Sequence, residues 1–363
     1  MASRNSSHTR IILAIVKKDI AQAIKDRMIL GVIIGVFLLI LPSQLLPIIL
    51  ENENTLTAVI VGIEPTALAN ALSKLPDTTA YSVKSLSDLK DEIVSGRGSI
   101  IGLSLPDDYS SKITTKERID IDGYLAHWIE PESARTLEKH FENEIRLLTN
   151  SPVEITIVND QVYPDEDTRG LHVMFILQMI NAIMTITLIL VPQLFITEKE
   201  THTLDAMLIS PASLTDLIIG KGLVGVFYAA IAVSIVVLMN IRIIAHWPLL
   251  IVSIISGIFI AVFTGLLIGL AFDNYQQSTF AIWIVGIFAI APSFIKLILT
   301  AELPKIIDVI VNWSPSGQLT NLLLMSLMKT VDNQSALLGL GSIWLFNVAL
   351  LYLTLWRVNQ QTK

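Results

Sequence analysis

The chain has no cysteine in 363 residues. That excludes disulfides, thiolate metal sites and cysteine nucleophiles. Charge is scarce as well: Asp, Glu, Lys and Arg together make 16 % of the chain, where a soluble domain carries about 25 %. Catalytic signatures are absent too. No Gly-x-x-x-x-Gly-Lys-Ser/Thr is present, because the Gly220-Lys221 pair is followed by Gly222 and lacks the upstream glycine. No phosphate-binding loop can therefore be read, nor a His-Glu-x-x-His or Gly-x-Ser-x-Gly signature. The six histidines are scattered at 8, 127, 140, 172, 202 and 246. His127 and His140 share the polar part of the chain but lack a carboxylate pattern, so they read as structural rather than metal-binding.

What the chain has in abundance is apolar sequence. Hydrophobic residues make 52 % and the mean hydropathy is +0.63. A run of about 20 apolar residues can cross the hydrocarbon core as a helix. Six such runs occur: Met28–Leu50, His172–Ile196, Leu217–Met239, Trp247–Phe272, Ser278–Leu299 and Ala336–Trp356. The expected fold is a polytopic α-helical membrane protein of six spans. The basic stretch before Met28 is long, and Pro42-Ser43-Gln44 stands where a cleavage site would be needed, so the first run reads as a retained span.

Lysine and arginine set the expected orientation. Residues 1–27 hold Arg4, Arg10, Lys17, Lys18, Lys25 and Arg27, and the segments on the same side add Lys199, Lys221, Arg357 and Lys363. The short segments of the opposite side hold only Arg242, Lys296, Lys305 and Lys329. The positive-inside rule then puts both termini in the cytoplasm of a plasma-membrane protein. Residues 1–27 carry an amphipathic pattern over Ile11–Arg27: Ile12, Val16, Ile20, Ala23 and Ile24 fall near helical spacing among Lys17, Lys18, Gln22 and Lys25. That suits a helix lying in the inner interface.

Residues 51–170 form the long polar stretch, expected on the outer side as an inserted α/β domain. Thr57–Gly62, Thr79–Val83, Ser99–Leu105, Arg118–Tyr124 and Val153–Val158 read as strands. Leu68–Leu75, Ser87–Ser95 (with Ser87 as cap) and Pro131–Leu148 read as helices. The net charge of −7 comes mainly from this stretch and gives no reason to expect nucleic acid as a partner.

Residues 171–363 hold the remaining five spans. Gln178 and Asn181, three residues apart on one face of the second span, and Asn347 in the sixth are their few amides. They read as pathway-lining or helix-contact residues. No Asp or Glu lies deep in a span, so a carboxylate proton relay has no candidate. Gly31-x-x-x-Gly35 and Gly265-x-x-x-Gly269 allow close helix approach, and are weak signals for a dimer face.

The most telling stretch is the polar island 197–211 between the second and third spans. Leu204, Met207 and Leu208 fall on one helical face at i, i+3 and i+4. Thr203 can cap the start, and Ser210-Pro211 ends the helix, because the residue before proline avoids the helical region. A short helix over 203–210 with an apolar face would be held toward an aqueous partner.

With its order of parts and the motif Glu198-Lys199-Glu200, Thr203-Leu204, Leu208, Ser210-Pro211 and Gly220-Lys221, the chain resembles the ABC-2 type (type 2) ABC transporter permeases with a large extracytoplasmic domain, similar to bacterial and archaeal sodium or multidrug exporter permeases. Leu89–Ile113 resembles a helix, glycine, strand, Pro-Asp run of that family. Asn312-Trp313-Ser314-Pro315 resembles its outer re-entrant or helical segment, here expected over residues 300–335. His202 departs from the small residue usual there. The resemblance implies an exporter subunit without a nucleotide site. ATP and Mg would be bound by a separate cytoplasmic ABC ATPase, this chain binding no cofactor and no metal. Segment 203–210 would be the coupling helix, with Glu198, Glu200, Thr203, Leu204, Met207, Leu208, Ser210 and Pro211 as the ATPase-coupling set. A second permease, identical or different, would complete the unit in the bilayer. The alternatives are a non-transport membrane protein with a sensor or assembly domain, and a secondary transporter.

Overall fold

A computed structural model describes residues 2–25, 30–31, 34–35, 56–62, 65–95, 100–158, 161–165, 170–203, 213–298 and 304–361 of the chain. The expected first span, 28–50, falls almost wholly outside the described residues. These residues divide into two compact units, an α/β unit within residues 43–174 and a helical unit built mainly from the segments on either side of it.

The α/β unit is a five-stranded sheet with helices on both faces. Its elements are β1 (Leu56–Val61), α2 (Pro65–Leu72), β2 (Thr78–Ser82), α3 (Leu86–Ser95), β3 (Ile100–Ser104), α4 (Tyr109–Thr115), β4 (Ile119–Tyr124), α5 (Pro131–Thr149) and β5 (Val153–Ile157). The strand order is β2-β1-β3-β4-β5. All neighbours are parallel except β3 and β4, which pair antiparallel with Leu103 opposite Gly123. Side chains alternate across a strand. Ala58 and Ile60 therefore join a core with Leu72 of α2 and Leu137, Phe141 and Ile145 of α5, while Val59 and Val61 face Leu89 and Ile93 of α3 on the other side. Gly102 lets α3 approach β3: a Cβ there would stand 2.5 Å from both Leu89 and Ile93. At Gly62, φ is +134° and a Cβ would meet the Leu105 backbone at 2.8 Å, so the turn out of β1 requires glycine.

Exposed sheet edges are templates for unwanted pairing. Both are answered by side chains here. Ser73 Oγ accepts from Ala80 N and donates to Ala80 O on β2. On β5, Ile155 N donates to Glu142 of α5 at 2.8 Å. The strand and helix ranges read from the sequence lie within a few residues of these elements. Two points differ. The cap of α3 is Ser85, not Ser87, since Asp88 N donates to Ser85 Oγ and Ser85 N to Asp88. The short α4 was not expected, because Pro106-Asp107-Asp108 reads as a turn.

The helical unit contains α1 (Ala2–Lys25), α6 (Leu171–Glu200), α7 (Leu214–Met239), α8 (Trp247–Ala271), α9 (Tyr275–Ile298), α10 (Lys305–Trp313), α11 (Pro315–Met325) and α12 (Asn333–Gln361). Five of them, α6, α7, α8, α9 and α12, are long and apolar enough to cross a membrane among the described residues. They correspond to the second through sixth expected spans. The chain is thus a multi-pass membrane protein with an inserted α/β sheet domain.

Helix α8 packs against α7, α11 and α12. Small residues bring helix backbones together where no hydrophobic drive separates helix from lipid. A Cβ on Gly265 would lie 2.9 Å from Thr187 O, and one on Gly269 would lie 2.9 Å from the Phe195 ring. These glycines therefore serve contacts of α8 with α6 inside one chain. Asn312-Trp313-Ser314-Pro315 joins α10 to α11. Ser314 caps α11 by accepting from Gly317 N, Pro315 fits its first turn, and Gln318 Nε2 donates back to Asn312 O. Residues 305–325 thus form two short helices.

Candidate functional site

Lys221 lies two turns into the mostly apolar helix α7 and is fully buried. A buried ammonium needs partners, since unpaired desolvation costs several kcal/mol or more. Lys221 has four contacts. Its Nζ donates to Leu194 O at 2.8 Å and to Asp19 Oδ2 at 3.2 Å. It stands 2.8 Å from Glu198 Oε2 as an ion pair. The Phe195 ring lies 5.2 Å away, within cation–π range. The other oxygen of Glu198, Oε1, accepts from Lys18 Nζ at 2.9 Å. Lys18, Asp19, Glu198 and Lys221 make two cations and two anions, so the cluster is neutral as a whole. Burial raises the pKa of Asp19 above the usual carboxylate value; Lys221 pulls it down and Glu198 adds to the rise.

The cluster draws together three elements: α1, the last turn of α6, and the start of α7. The buried face of α1, Ile15 and Asp19, is turned toward protein. A Cβ on Gly220 would meet Ile15 Cγ2 at 2.7 Å, and Tyr228 Oη donates to Ile20 O at 3.1 Å. A second link joins α1 to the α7 N-terminus, where His8 Nδ1 sits 3.0 Å from Asp216 Oδ2. Asp216 closes a capping box with Ser213.

Each residue of the Glu198-Lys199-Glu200 motif has a partner within the chain. Glu198 turns inward to Lys18 and Lys221 and is 4 % exposed. Lys199 Nζ donates to Phe272 O at 2.8 Å and pairs with Asp273 at 3.0 Å. Glu200 accepts from Tyr275 N at 2.9 Å. So the end of α6 is tied to α1 and α7 on one side and to the α8–α9 connection on the other. His202 takes φ +53°, the left-handed region where a helix end favours glycine, which accounts for the small residue usual at this position of the motif. Thr203 donates to Glu198 O at 3.4 Å and lies 2.9 Å from Thr201 Oγ1. Leu204, Met207, Leu208, Ser210 and Pro211 lie outside the described residues.

The three amides occupy different settings. Gln178 is buried in α6. Asn181 accepts from Thr185 on the same helix. Asn347 Nδ2 donates to Ser256 O at 3.1 Å and so joins α12 to α8. Asn181, Thr185 and Gln193 of α6 also line a groove of about 710 Å³ against Ser278, Thr279 and Gly286 of α9. Hydrocarbon cannot satisfy such polar groups.

Sequence reasoning missed Asp19 and Lys221 as partners. One signal was present: an ionisable residue inside an apolar run requires a partner by default. Among the described residues no group of acidic or histidine side chains could hold a metal. His127 stacks on Tyr163 with ring centroids 4.2 Å apart, and His140 Nε2 lies 3.1 Å from Thr78 Oγ1.

These features define a multi-pass helical membrane protein whose charged residues gather at the ends of its spans. The family model of the ABC-2 family transporter proteins matches residues 27–356, and the chain belongs to that family. It is an ABC transporter membrane subunit. No curated protein matches the chain.

Proposed function

We propose that the chain is the permease subunit of an ATP-driven exporter, coupled through residues 203–210 to a separate cytoplasmic ATPase that binds ATP and Mg. The observation that carries this reading is the buried four-charge cluster. It ties α1 to the end of α6 and the start of α7, the two helix ends that the 203–210 segment connects in sequence. A displacement applied to that segment by a partner would be passed to three helices at once rather than absorbed by one. The apolar face of Leu204, Met207 and Leu208 supplies the docking surface, and burying one such side chain contributes about 1.5–3 kcal/mol.

The pathway runs along the groove between α6 and α9. Its polar row of Asn181, Thr185 and Gln193 gives a substrate hydrogen-bonding partners within an apolar wall. A second permease, identical or different, completes the passage. The termini face the cytoplasm, and the α/β unit lies outside.

Co-expression with the candidate ATPase, followed by purification through the permease, tests the reading. A stable complex whose ATP hydrolysis responds to candidate substrates is expected. A permease that never retains an ATPase would refute it.

A further inference from the structure

The outer face of α1 takes no part in the charge cluster. Ile15 and Asp19 turn toward α7 and are buried. Arg10, Leu13, Lys17 and Lys25 fall at i, i+3, i+7 and i+15, which sets them in one stripe on the opposite side of the helix. All four are exposed, Leu13 by 62 %. Among the described residues, Arg10, Lys17 and Lys25 take part in no hydrogen bond or ion pair. The neighbouring Lys18 and Asp19 are held by Glu198 and Lys221, so neither balances the stripe. Three uncompensated positive charges are therefore spread over about 22 Å of helix.

The contacts of α1 fix the depth of this stripe. His8 meets Asp216 in the first turn of α7, and Ile15 packs on Gly220 one turn further. Helix α7 is long and apolar enough to cross a membrane. Helix α1 thus runs beside the entry of a span, where headgroups meet hydrocarbon. An amphipathic helix at that depth ordinarily turns its apolar face to the acyl chains. Here α7 covers that face, and cations point away from the protein instead. Leu13 stands between Arg10 and Lys17. An exposed leucine flanked by cations suits the boundary between phosphate and acyl chain.

We propose that this stripe docks on anionic phospholipid headgroups of the leaflet beside α1, its three cations on phosphates and Leu13 among the upper acyl chains. Each Lys or Arg near an anionic membrane surface strengthens the attraction about fivefold. Zwitterionic headgroups carry no net charge to attract the stripe. An acidic partner protein would match the cations but give Leu13 no apolar neighbour. Lipid held there presses Ile15 and Asp19 onto α7 and so braces the charge cluster from outside. The inference depends on the membrane placement of α7 and holds whether or not residues 203–210 receive an ATPase.

The test uses the full-length chain in nanodiscs of phosphatidylcholine, with and without phosphatidylglycerol. A phosphatidylglycerol probe with a photoactivatable headgroup is expected to label residues 10–25. Unlabelled phosphatidylglycerol should compete better than phosphatidylcholine. Salt at about 1 M, where the Debye length is about 3 Å, should weaken the labelling. The triple variant Arg10→Gln, Lys17→Gln and Lys25→Gln should lose labelling by more than about tenfold. In phosphatidylcholine discs it should melt as the unmodified chain does, because these side chains have no partner among the described residues. Phosphatidylglycerol should raise the melting temperature of the unmodified chain and not that of the variant. Labelling undiminished in the triple variant would overturn the proposal. Equal competition by the two lipids, or labelling of the unmodified chain that ignores salt, would overturn it even if the variant fails to fold. A co-expressed ATPase that shields residues 10–25 completely would assign the stripe to a protein partner and overturn it as well.

Discussion

Lys221 Nζ and Glu198 Oε2 stand 2.8 Å apart, although 23 residues separate them in sequence and neither side chain meets water appreciably. The pair joins the end of α6 to the start of α7. Lys18 and Asp19 extend it to α1 and balance its charge. Removing one member of such a cluster leaves an uncompensated buried charge, whereas replacing both members of a pair can be nearly neutral.

Lys221→Ala should therefore destabilise the helical unit by about 3–5 kcal/mol. The double replacement Lys221→Met with Glu198→Gln should cost clearly less than the sum of the two single changes. Thermal unfolding of the detergent-purified chain, read as a mutant cycle, measures this. Additive effects would mean that the two residues do not act together.

The glycines of α8 offer a contrast in packing. Gly265→Val would press a Cβ to 2.9 Å from the Thr187 carbonyl and 3.0 Å from Val191 Cβ. A loss of about 1–3 kcal/mol is expected from such overpacking. Gly286→Ala on α9 meets nothing within 4 Å, and folded yield should be unchanged. Equal losses at both positions would contradict the α6–α8 contact.

The spans were legible because lipid demands long, continuous apolar runs, and the ends of α6, α7, α8, α9 and α12 fall within a few residues of those read from hydropathy. The strands of the α/β unit were legible from β-branched runs punctuated by Pro and Gly. Its mixed topology was not, because nothing local in Ile119–Tyr124 distinguishes an antiparallel from a parallel neighbour. The charge cluster was hidden for a related reason. Asp19 and Lys221 are 202 residues apart, and a carboxylate at a helix end such as Glu198 is solvated by default. The Gly265 and Gly269 pattern announced a close approach, but not whether its partner belongs to the same chain.

The α/β unit carries its own core, so residues 54–166 expressed alone should melt cooperatively and titrate characteristically. Burial pushes the Tyr109 phenol up to about 12. Burial, with the charge and hydrogen bond of Glu92, pushes Tyr81 up to about 12. Folded values above the ordinary 10.0 mean that this contribution to stability is whole below pH 10.0 and lost as pH rises through about 12. Phenolate absorbance should show Tyr81 and Tyr109 ionising only as the unit unfolds in alkali. Ionisation of these two near the ordinary value of 10.0 would refute the packing.

Topology is tested by reporters. A fusion after Val158 should be extracytoplasmic and one after Lys363 cytoplasmic, in keeping with the lysine and arginine asymmetry. Activity of both on one side of the membrane would rule out the arrangement.

The central claim is that the segment after α6 receives an ATPase. Its most direct measurement is the double variant Leu204→Asp with Leu208→Asp, assayed for membrane insertion, ATPase co-purification and substrate-stimulated hydrolysis. Two carboxylates on the docking face should leave insertion intact while co-purification and stimulated hydrolysis are lost. A double variant that inserts, keeps its ATPase and hydrolyses ATP at the unmodified rate would contradict the coupling role of residues 203–210.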